Sequence, residues 1–334
     1  MRRLLTAALS GLLCLSLLLA TLWAALALWH HLPVFAQNGW LPAAGFSALG
    51  LGVLYAQFTP RRLRAQATFA LALATVIFWW SGLAPPADRN WAPDVSRQAT
   101  GSLDGDILTL DGVRNFRWNT PEDFTPAWET RSYDLSALET VDLAMSYWAG
   151  PEMAHMILSF GFTDGGHLAW SVEVRREQGG GFSPIADLFK TNTLAIIAAD
   201  ERDLIGTRTN ARGEDVRLFR TNTPPERARA LLMQYVEASN RLAAQPQWYN
   251  SLTTNCTTVV MQMIRTIVGE VPLDWRVLAN GYLPEYAYEQ GVFGTGRSIE
   301  DLRRLGAVTG RARAHGLSPG YSQAIREGVP SPLE

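Results

Sequence analysis

The sequence predicts an α+β domain preceded by three transmembrane helices, and three observations carry that expectation. Residues 1–85 hold three long apolar runs that are almost free of charge. Residues 106–221 then alternate short β-branched and aromatic segments with Gly- and Asp-containing turns, as strands do. Beyond Thr223 the apolar spacing changes to a helical period. The chain average of 47% hydrophobic and 18% charged residues hides this division.

The apolar runs cover about 4–29, 40–58 and 67–84. A membrane-spanning helix takes about 20 apolar residues, within a range of about 17–25. Trp40, Trp79 and Trp80 stand near run ends, where amphipathic aromatics anchor at the headgroups. Arg2 and Arg3 before the first run would also suit a cleaved secretory signal. That run is longer than the h-region of about 7–15 residues, and two more runs follow it. Arg61, Arg62 and Arg64 fill the loop between the second and third runs, whereas His31 to Gly39 holds no Lys or Arg. The positive-inside rule therefore puts the N-terminus in the cytoplasm. Three crossings deliver everything after Pro85 to the periplasm, giving a multi-pass protein of a bacterial inner membrane. Residues 86–105 read as a linker, 106–310 as the periplasmic domain and 311–334 as a loosely ordered tail.

Within the domain, Ile107 to Trp118 reads as a hairpin turning at Asp111-Gly112. A strand follows around Thr140–Tyr147. Met156–Phe162 and His167–Arg175 form a second hairpin about Thr163-Asp164-Gly165-Gly166. Further strands fall at Thr193–Ala199 and Val216–Thr221. Thr223, Pro224, Pro225 and Glu226 have the pattern of a helix start with a capping box. A second, strongly apolar helix begins at Cys256 and ends near Gly269.

With 29 Lys and Arg against 31 Asp and Glu, the net charge of −2 gives no electrostatic footprint for nucleic acid. No pair of His or Cys residues has metal-ligand spacing, so no metal or cofactor is expected. Gly179-Gly180-Gly181 follows a strand but opens no helix, which argues against a phosphate loop. Arg175, Arg176 and Arg202 suit a lipid phosphate, but suit structural ion pairs better.

The chain has two cysteines. Cys14 lies in the first apolar run and Cys256 in the domain, so they cannot pair. A lone thiol is often a small buried hydrophobe. Cys256, however, opens a helix, whose free N–H groups and dipole favour thiolate. Those N–H groups also suit an oxyanion. Asn255, Thr253 and Thr254 keep the approach polar. A thiolate needs a proton acceptor, and His155, at the start of an apolar strand, is the candidate. His167 and His315 are the other domain histidines, and His315 falls in the tail. The base needs an orienting partner. Glu173 is preferred because a mid-strand carboxylate without a partner is costly, and His167 is the alternative. A two-residue turn pairs His155 with Val174 and turns Glu173 away. A three-residue loop or a bulge puts Glu173 opposite His155.

Several segments resemble one family. They are Ala154-His155-Met156-Ile157-Leu158-Ser159-Phe160, Ser171 to Glu177, Glu201-Arg202-Asp203-Leu204-Ile205, Tyr249 to Thr257 and Trp275-Arg276. Together they make the stretch from about Trp128 to Arg304 similar to the Lnb N-terminal periplasmic domain family. The resemblance implies a permuted papain-like, NlpC-type thiol-enzyme fold, with His before Cys and an antiparallel sheet packed on the Cys-bearing helix. It implies Cys256 as nucleophile and His155 as base. Glu173 takes the third role in an Lnb-like pattern, and His167 in the pattern of lecithin retinol acyltransferase. The family is associated with N-acylation of bacterial lipoproteins.

The expected function is thus a membrane-anchored thiol acyltransferase acting on membrane lipid or lipoprotein. Trp248, Tyr249 and Asn255 are candidate substrate contacts. Two rivals use the same residues differently. A cysteine amidase or peptidase acting on cell-wall peptide would pass the acyl group to water. A non-catalytic binding or sensing module would carry an idle thiol.

Overall fold

A computed structural model of the protein describes residues 1–31, 40–294 and 296–332. The loop after His31, used above for orientation, lies outside them at 32–39. The chain divides into two compact units, Met1–Pro85 with Ser183–Thr191, and Pro86–Phe182 with Asn192–Glu334.

The first unit contains α1 (Arg2–His31), α2 (Trp40–Ala56) and α3 (Arg62–Ser81). Among the described residues, two stretches are long and apolar enough to cross a membrane, Ala7–His31 and Arg62–Ser81. The three expected spans therefore reduce to two candidates. At 17 residues and 1.5 Å rise per residue, α2 is about 25 Å long, short of a hydrocarbon core of about 30 Å. Leu17, Ala24, Leu28, Phe46, Val53, Phe69 and Val76 form the interior of this unit. At Gly50 a Cβ would come within 2.2 Å of Thr21 Oγ1, so α1 and α2 approach more closely there than any larger residue permits. Phe189, from the excursion Ser183–Thr191, stacks on His30 with ring centres 5.6 Å apart.

The second unit is α+β. Its strands are β1 (Thr100–Asp104), β2 (Ile107–Arg114), β3 (Arg117–Trp118), β4 (Phe124–Thr125), β5 (Trp128–Asp134), β6 (Leu138–Tyr147), β7 (Ala154–Phe162), β8 (His167–Arg175), β9 (Thr193–Ala199) and β10 (Asp215–Arg220). Eight strands form one sheet in the order β1-β2-β9-β8-β7-β6-β10, with β5 also paired to β2, while β3 and β4 pair separately. The sheet is mixed, not antiparallel throughout. The N-terminal strands join the rest where β2 meets β9 in parallel, at Arg114↔Ala199.

Residues buried on both faces explain why β6 to β9 read as nearly unbroken apolar runs. One face, with Met156, Leu158, Trp170, Val172 and Ile196, packs on α5 (Pro225–Ala244) and α6 (Cys256–Val268). The other, with Ile157, Ala169, Ala195 and Ile197, is covered by α4 (Glu201–Gly206) and by residues from the C-terminal region. Four short helices complete the unit: α7 (Leu283–Glu289), α8 (Ile299–Leu305), α9 (Thr309–His315) and α10 (Tyr321–Ala324).

Four local expectations change. Asp111-Gly112 does not turn the chain. β2 runs through it with a register shift between Leu110 and Val113, and Gly112 takes the positive φ of 76° that accompanies it. The stretch read as a linker supplies β1. The stretch read as a loose tail is packed: Tyr321, Ile325 and Val329 are buried under the sheet. Their spacing of four is a helical stripe hidden among Gly and Pro. Finally, α5 starts at Pro225 with no side-chain cap, because the Thr223 hydroxyl bonds Thr221 at 2.8 Å.

Candidate functional site

Cys256 is the first residue of α6 and is buried. The preceding Asn255 forms a capping box. Its Oδ1 accepts the N–H groups of Thr257 and Thr258, both at 2.9 Å, and the Thr258 side chain answers the Asn255 N–H. Asn255 Nδ2 donates to the Ser251 carbonyl at 2.8 Å. The Asn255 side chain therefore fixes where α6 begins, and with it the sulfur.

His155 lies near the start of β7, opposite Ser146 of β6. On its other side β7 pairs with β8 from Gly161↔His167 to Ile157↔Ser171. This register places Glu173 opposite His155. The loop between the strands has three residues, Thr163 to Gly165, closed by the Phe162 N–H donating to the Gly166 carbonyl at 3.0 Å. Of the two turn lengths the sequence allowed, this is the one that aims Glu173 at His155. His167, on β8, stands opposite Gly161, six residues along β7 from His155 and about 20 Å away at 3.3 Å per residue. Its Nδ1 lies 3.1 Å from the Gly165 carbonyl, so the structure does not bring it to Cys256.

Beyond Ile157↔Ser171 the β7–β8 ladder stops, although β7 begins at Ala154 and β8 runs to Arg175. The Met156 N–H and the His155 ring both act on the Cys256 sulfur so as to favour its ionised form. His155 Nε2 lies 2.6 Å from Ser171 Oγ and 3.0 Å from Glu173 Oε1. Ser171 donates its own hydroxyl to Glu173 at 2.7 Å, so Nε2 carries the proton facing both. With Nε2 so committed, the sulfur contact falls to Nδ1. Arg208, in a single π-helical turn, Thr207–Arg212, donates to Glu173 at 3.1 Å and to Glu214 at 3.4 Å. Glu214 in turn accepts from Ser146.

These neighbours set the charges. Burial and the Arg208 cation both disfavour a charged His155. The Glu173 carboxylate and the hydrogen bonds to Cys256 and Glu173 outweigh them and raise His155 to about 9. Burial pushes the Cys256 thiol up, but the hydrogen bond and charge of His155 bring it below its ordinary value. Glu173 lies well below the usual carboxylate range: burial opposes this, but His155 and Arg208 override it. The thiol is thus shifted toward its ionised form beside a ring shifted toward its protonated one, with a carboxylate behind the ring, a combination that chemically suits a sulfur nucleophile.

Asn280 is a residue the sequence reading missed. Its Nδ2 approaches the Cys256 sulfur at 3.7 Å and donates to Thr257 Oγ1 at 2.8 Å and to the Ala154 carbonyl at 2.6 Å. Its Oδ1 accepts the Ala154 N–H at 2.9 Å. Asn280-Gly281 reads as an ordinary turn dipeptide, but a Cβ on Gly281 would lie 2.0 Å from the Pro151 carbonyl oxygen. That close approach is what brings the Asn280 amide to the sulfur.

Tyr249 is buried and faces Phe182 at 6.3 Å, and Phe182 meets the half-exposed Trp148 at 5.9 Å. Trp248 bridges to Thr193 of β9. The arginine motifs are engaged in structure. Arg175 donates to the carbonyls of Val95 and Ser96, and Arg176 to Asp94. Arg202 bonds Asn115 at 2.8 Å. Of its neighbours, Glu201 pairs with Arg326, and Asp203 accepts from Arg114, the Phe116 N–H and Trp118 Nε1.

Comparison with curated proteins and with solved structures gave no significant match. Comparison with family models matched residues 124–281, a stretch that includes Cys256, His155, Glu173, Arg208 and Asn280, to the Lnb N-terminal periplasmic domain.

Proposed function

From the match of residues 124–281 to the Lnb N-terminal periplasmic domain family, we propose that this protein is a membrane-anchored periplasmic thiol acyltransferase acting on membrane lipid or lipoprotein. What carries the reading is the grouping of Cys256, His155 and Glu173, in which His155 lowers the thiol and itself lies 3.0 Å from Glu173.

In this reading the Cys256 thiolate attacks an acyl carbonyl carbon. The carbonyl oxygen becomes an oxyanion facing the Cys256 N–H at the start of α6, since the Asn255 cap already takes the N–H groups of Thr257 and Thr258. The intermediate collapses to a thioester, and the leaving alkoxide takes the proton of the His155 imidazolium. An acceptor amine then attacks the thioester carbon. Neutral His155 removes the amine proton, the amide forms, and the sulfur leaves as thiolate. Glu173 and Ser171 hold Nε2, so the ring keeps Nδ1 toward the sulfur in both half-reactions. His155 preceding Cys256 in the chain, and the packing of α6 on a sheet, support a permuted papain-like arrangement.

A periplasmic location requires an odd number of crossings from a cytoplasmic N-terminus. α2 must then cross as well, which a short helix achieves with local bilayer thinning. A C-terminal tag open to protease in spheroplasts tests this. Catalysis is tested by incubating the full-length protein with phospholipid carrying a labelled acyl chain. The wild type is expected to form a hydroxylamine-sensitive adduct that Cys256→Ser lacks, and to pass the label to an added amine. Release of free fatty acid alone would assign hydrolysis. Turnover surviving in Cys256→Ser would overturn the reading.

A further inference from the structure

We propose that the segment Leu273–Leu278 is a membrane-contact element that seats in the headgroup region of the bilayer. The proposal rests on the membrane association of the chain and is independent of the chemistry assigned to Cys256.

The segment is arranged inside out. Leu273 is 91% exposed, Trp275 63% and Leu278 58%. Among the described residues of the second unit, no other large apolar side chain is as exposed as Leu273. The charged side chains between them turn inward. Asp274 and Arg276 pair at 2.8 Å and are only 17% and 13% exposed. Arg276 also reaches Glu289 at 2.6 Å and lies over the Tyr286 ring at 5.2 Å. A segment built to face water would reverse this, with charges outward and leucines inward.

The backbone explains how the apolar residues gather on one side. Trp275–Val277 forms a 3₁₀ turn, in which side chains at i and i+3 eclipse. Trp275 and Leu278 therefore share a face. The Asp274 side chain accepts the Arg276 N–H at 2.8 Å, capping the turn and holding its own charge inward. Val271 and Val277 pack against the core beneath, so the outer residues project from a fixed base.

The chemistry of the occupant follows from the rest of the chain. Two helices of the same polypeptide are long and apolar enough to cross a membrane, so this domain works beside a bilayer. Indole is a side chain of choice for the headgroup boundary, and leucines flanking it suit the acyl chains just below. Arg276 is shared by Asp274 and the more exposed Glu289, so each charge beneath the tip is ion-paired and the cluster carries one net negative charge. Two residues past Leu278 stands Asn280, whose amide touches the Cys256 sulfur. Lipid contact at Trp275 would thus lie within one short segment of the thiol.

The test uses the full-length protein in vesicles of phosphatidylethanolamine and phosphatidylglycerol, with bromine atoms at a shallow acyl position. The chain has 12 tryptophans, so the signal of Trp275 is taken as the difference between wild type and Trp275→Phe. The expected result is that this difference emission is blue-shifted and is lost in brominated lipid. Leu278→Trp on the Trp275→Phe background moves the reporter to the same face and should regain a bromine-quenched signal. Quenching of the difference emission by aqueous acrylamide but not by brominated lipid would place the segment in water and overturn the proposal. Resistance to both quenchers would mean cover by protein, such as a second copy, and would equally overturn it.

Discussion

Asn280 holds Ala154 by both of its backbone polar groups, accepting its N–H at 2.9 Å and donating to its carbonyl at 2.6 Å. Because Ala154 precedes His155, and the same amide donates to Thr257 beside Cys256, one side chain ties the base to the nucleophile. Asn280→Ala would leave buried partners without hydrogen bonds, at a cost of about 1–3 kcal/mol for each unsatisfied group. Denaturant unfolding should detect that loss. Asn280→Asp keeps the acceptor but adds negative charge next to the sulfur, so its thiol should titrate at higher pH than in wild type. Superimposable labelling profiles for wild type and Asn280→Asp would limit Asn280 to a structural role.

The thiol should be labelled by a neutral alkylating reagent with a pH midpoint below the ~8.5 of free cysteine. Its depression depends chiefly on the hydrogen bond and charge of His155. His155→Ala should therefore move the midpoint up, because burial is then opposed only by the Met156 N–H and the Thr257 hydroxyl. A midpoint unaffected by the substitution would separate His155 from the thiol.

Glu173→Gln should lower turnover by about 10²–10⁴-fold, the range of a positioned acid–base partner, with Cys256 still present and labelled. The raised His155 value of about 9 means that the imidazolium persists through neutral pH and is lost as pH rises through about 9. Without the carboxylate, the alkaline limb of the pH–rate profile should shift to lower pH. An unchanged limb would transfer the orienting role to Ser171.

Arg326 provides a contrast on the sheet face that also carries His155 and Glu173, but farther along β7, by Ser159. It pairs with the buried carboxylates of Glu201 at 2.6 Å and Asp142 at 2.7 Å. Arg326→Ala leaves Glu201 only the Ser159 hydroxyl and Asp142 only Arg220 at 3.6 Å, and should cost about 3–5 kcal/mol, while leaving the labelling midpoint of Cys256 unchanged. Burial would raise Glu201, but Arg326 and its hydrogen bonds bring it from the ordinary 4.5 down to about 2. A depressed carboxylate gives stability that is complete above its ordinary value and lost as pH falls through the folded one. Glu201→Gln should flatten the acid loss of stability in that window, as read by unfolding at a series of pH values.

The parts of the site that were legible in the sequence are local ones. The bounds of α6, its start at Cys256 and its stop at Gly269 follow from a cap and an apolar period within one segment. His155 stood out as a polar ring at the start of an apolar strand. The choice between Glu173 and His167 was not decidable, because it turns on one residue of loop length between two well-marked strands. Arg208 and Asn280 were invisible for a different reason. Each is one ordinary polar residue in an irregular segment, brought to the site by packing against β8 or against the β6–β7 turn. The α2 helix differs by degree, since its composition suits a span and only its length falls short. The C-terminal residues were misread because Gly and Pro outweighed a buried stripe of three side chains.

The β7–β8 hairpin is zipped from its loop to Ile157↔Ser171 and open beyond, so it has the form of a two-pronged fork. One prong carries His155 and the other Glu173, and the thiol meets the gap through the Met156 amide. A fork of this kind has a tension as well as a shape. Each added rung would draw the prongs together and take away the main-chain donor now given to sulfur, and each lost rung would spread base from carboxylate. The last amides that bond across the fork, at Leu158 and Trp170, are where that balance is held. Their hydrogen–deuterium exchange is consequently the backbone signal through which occupation of Cys256 should be felt first.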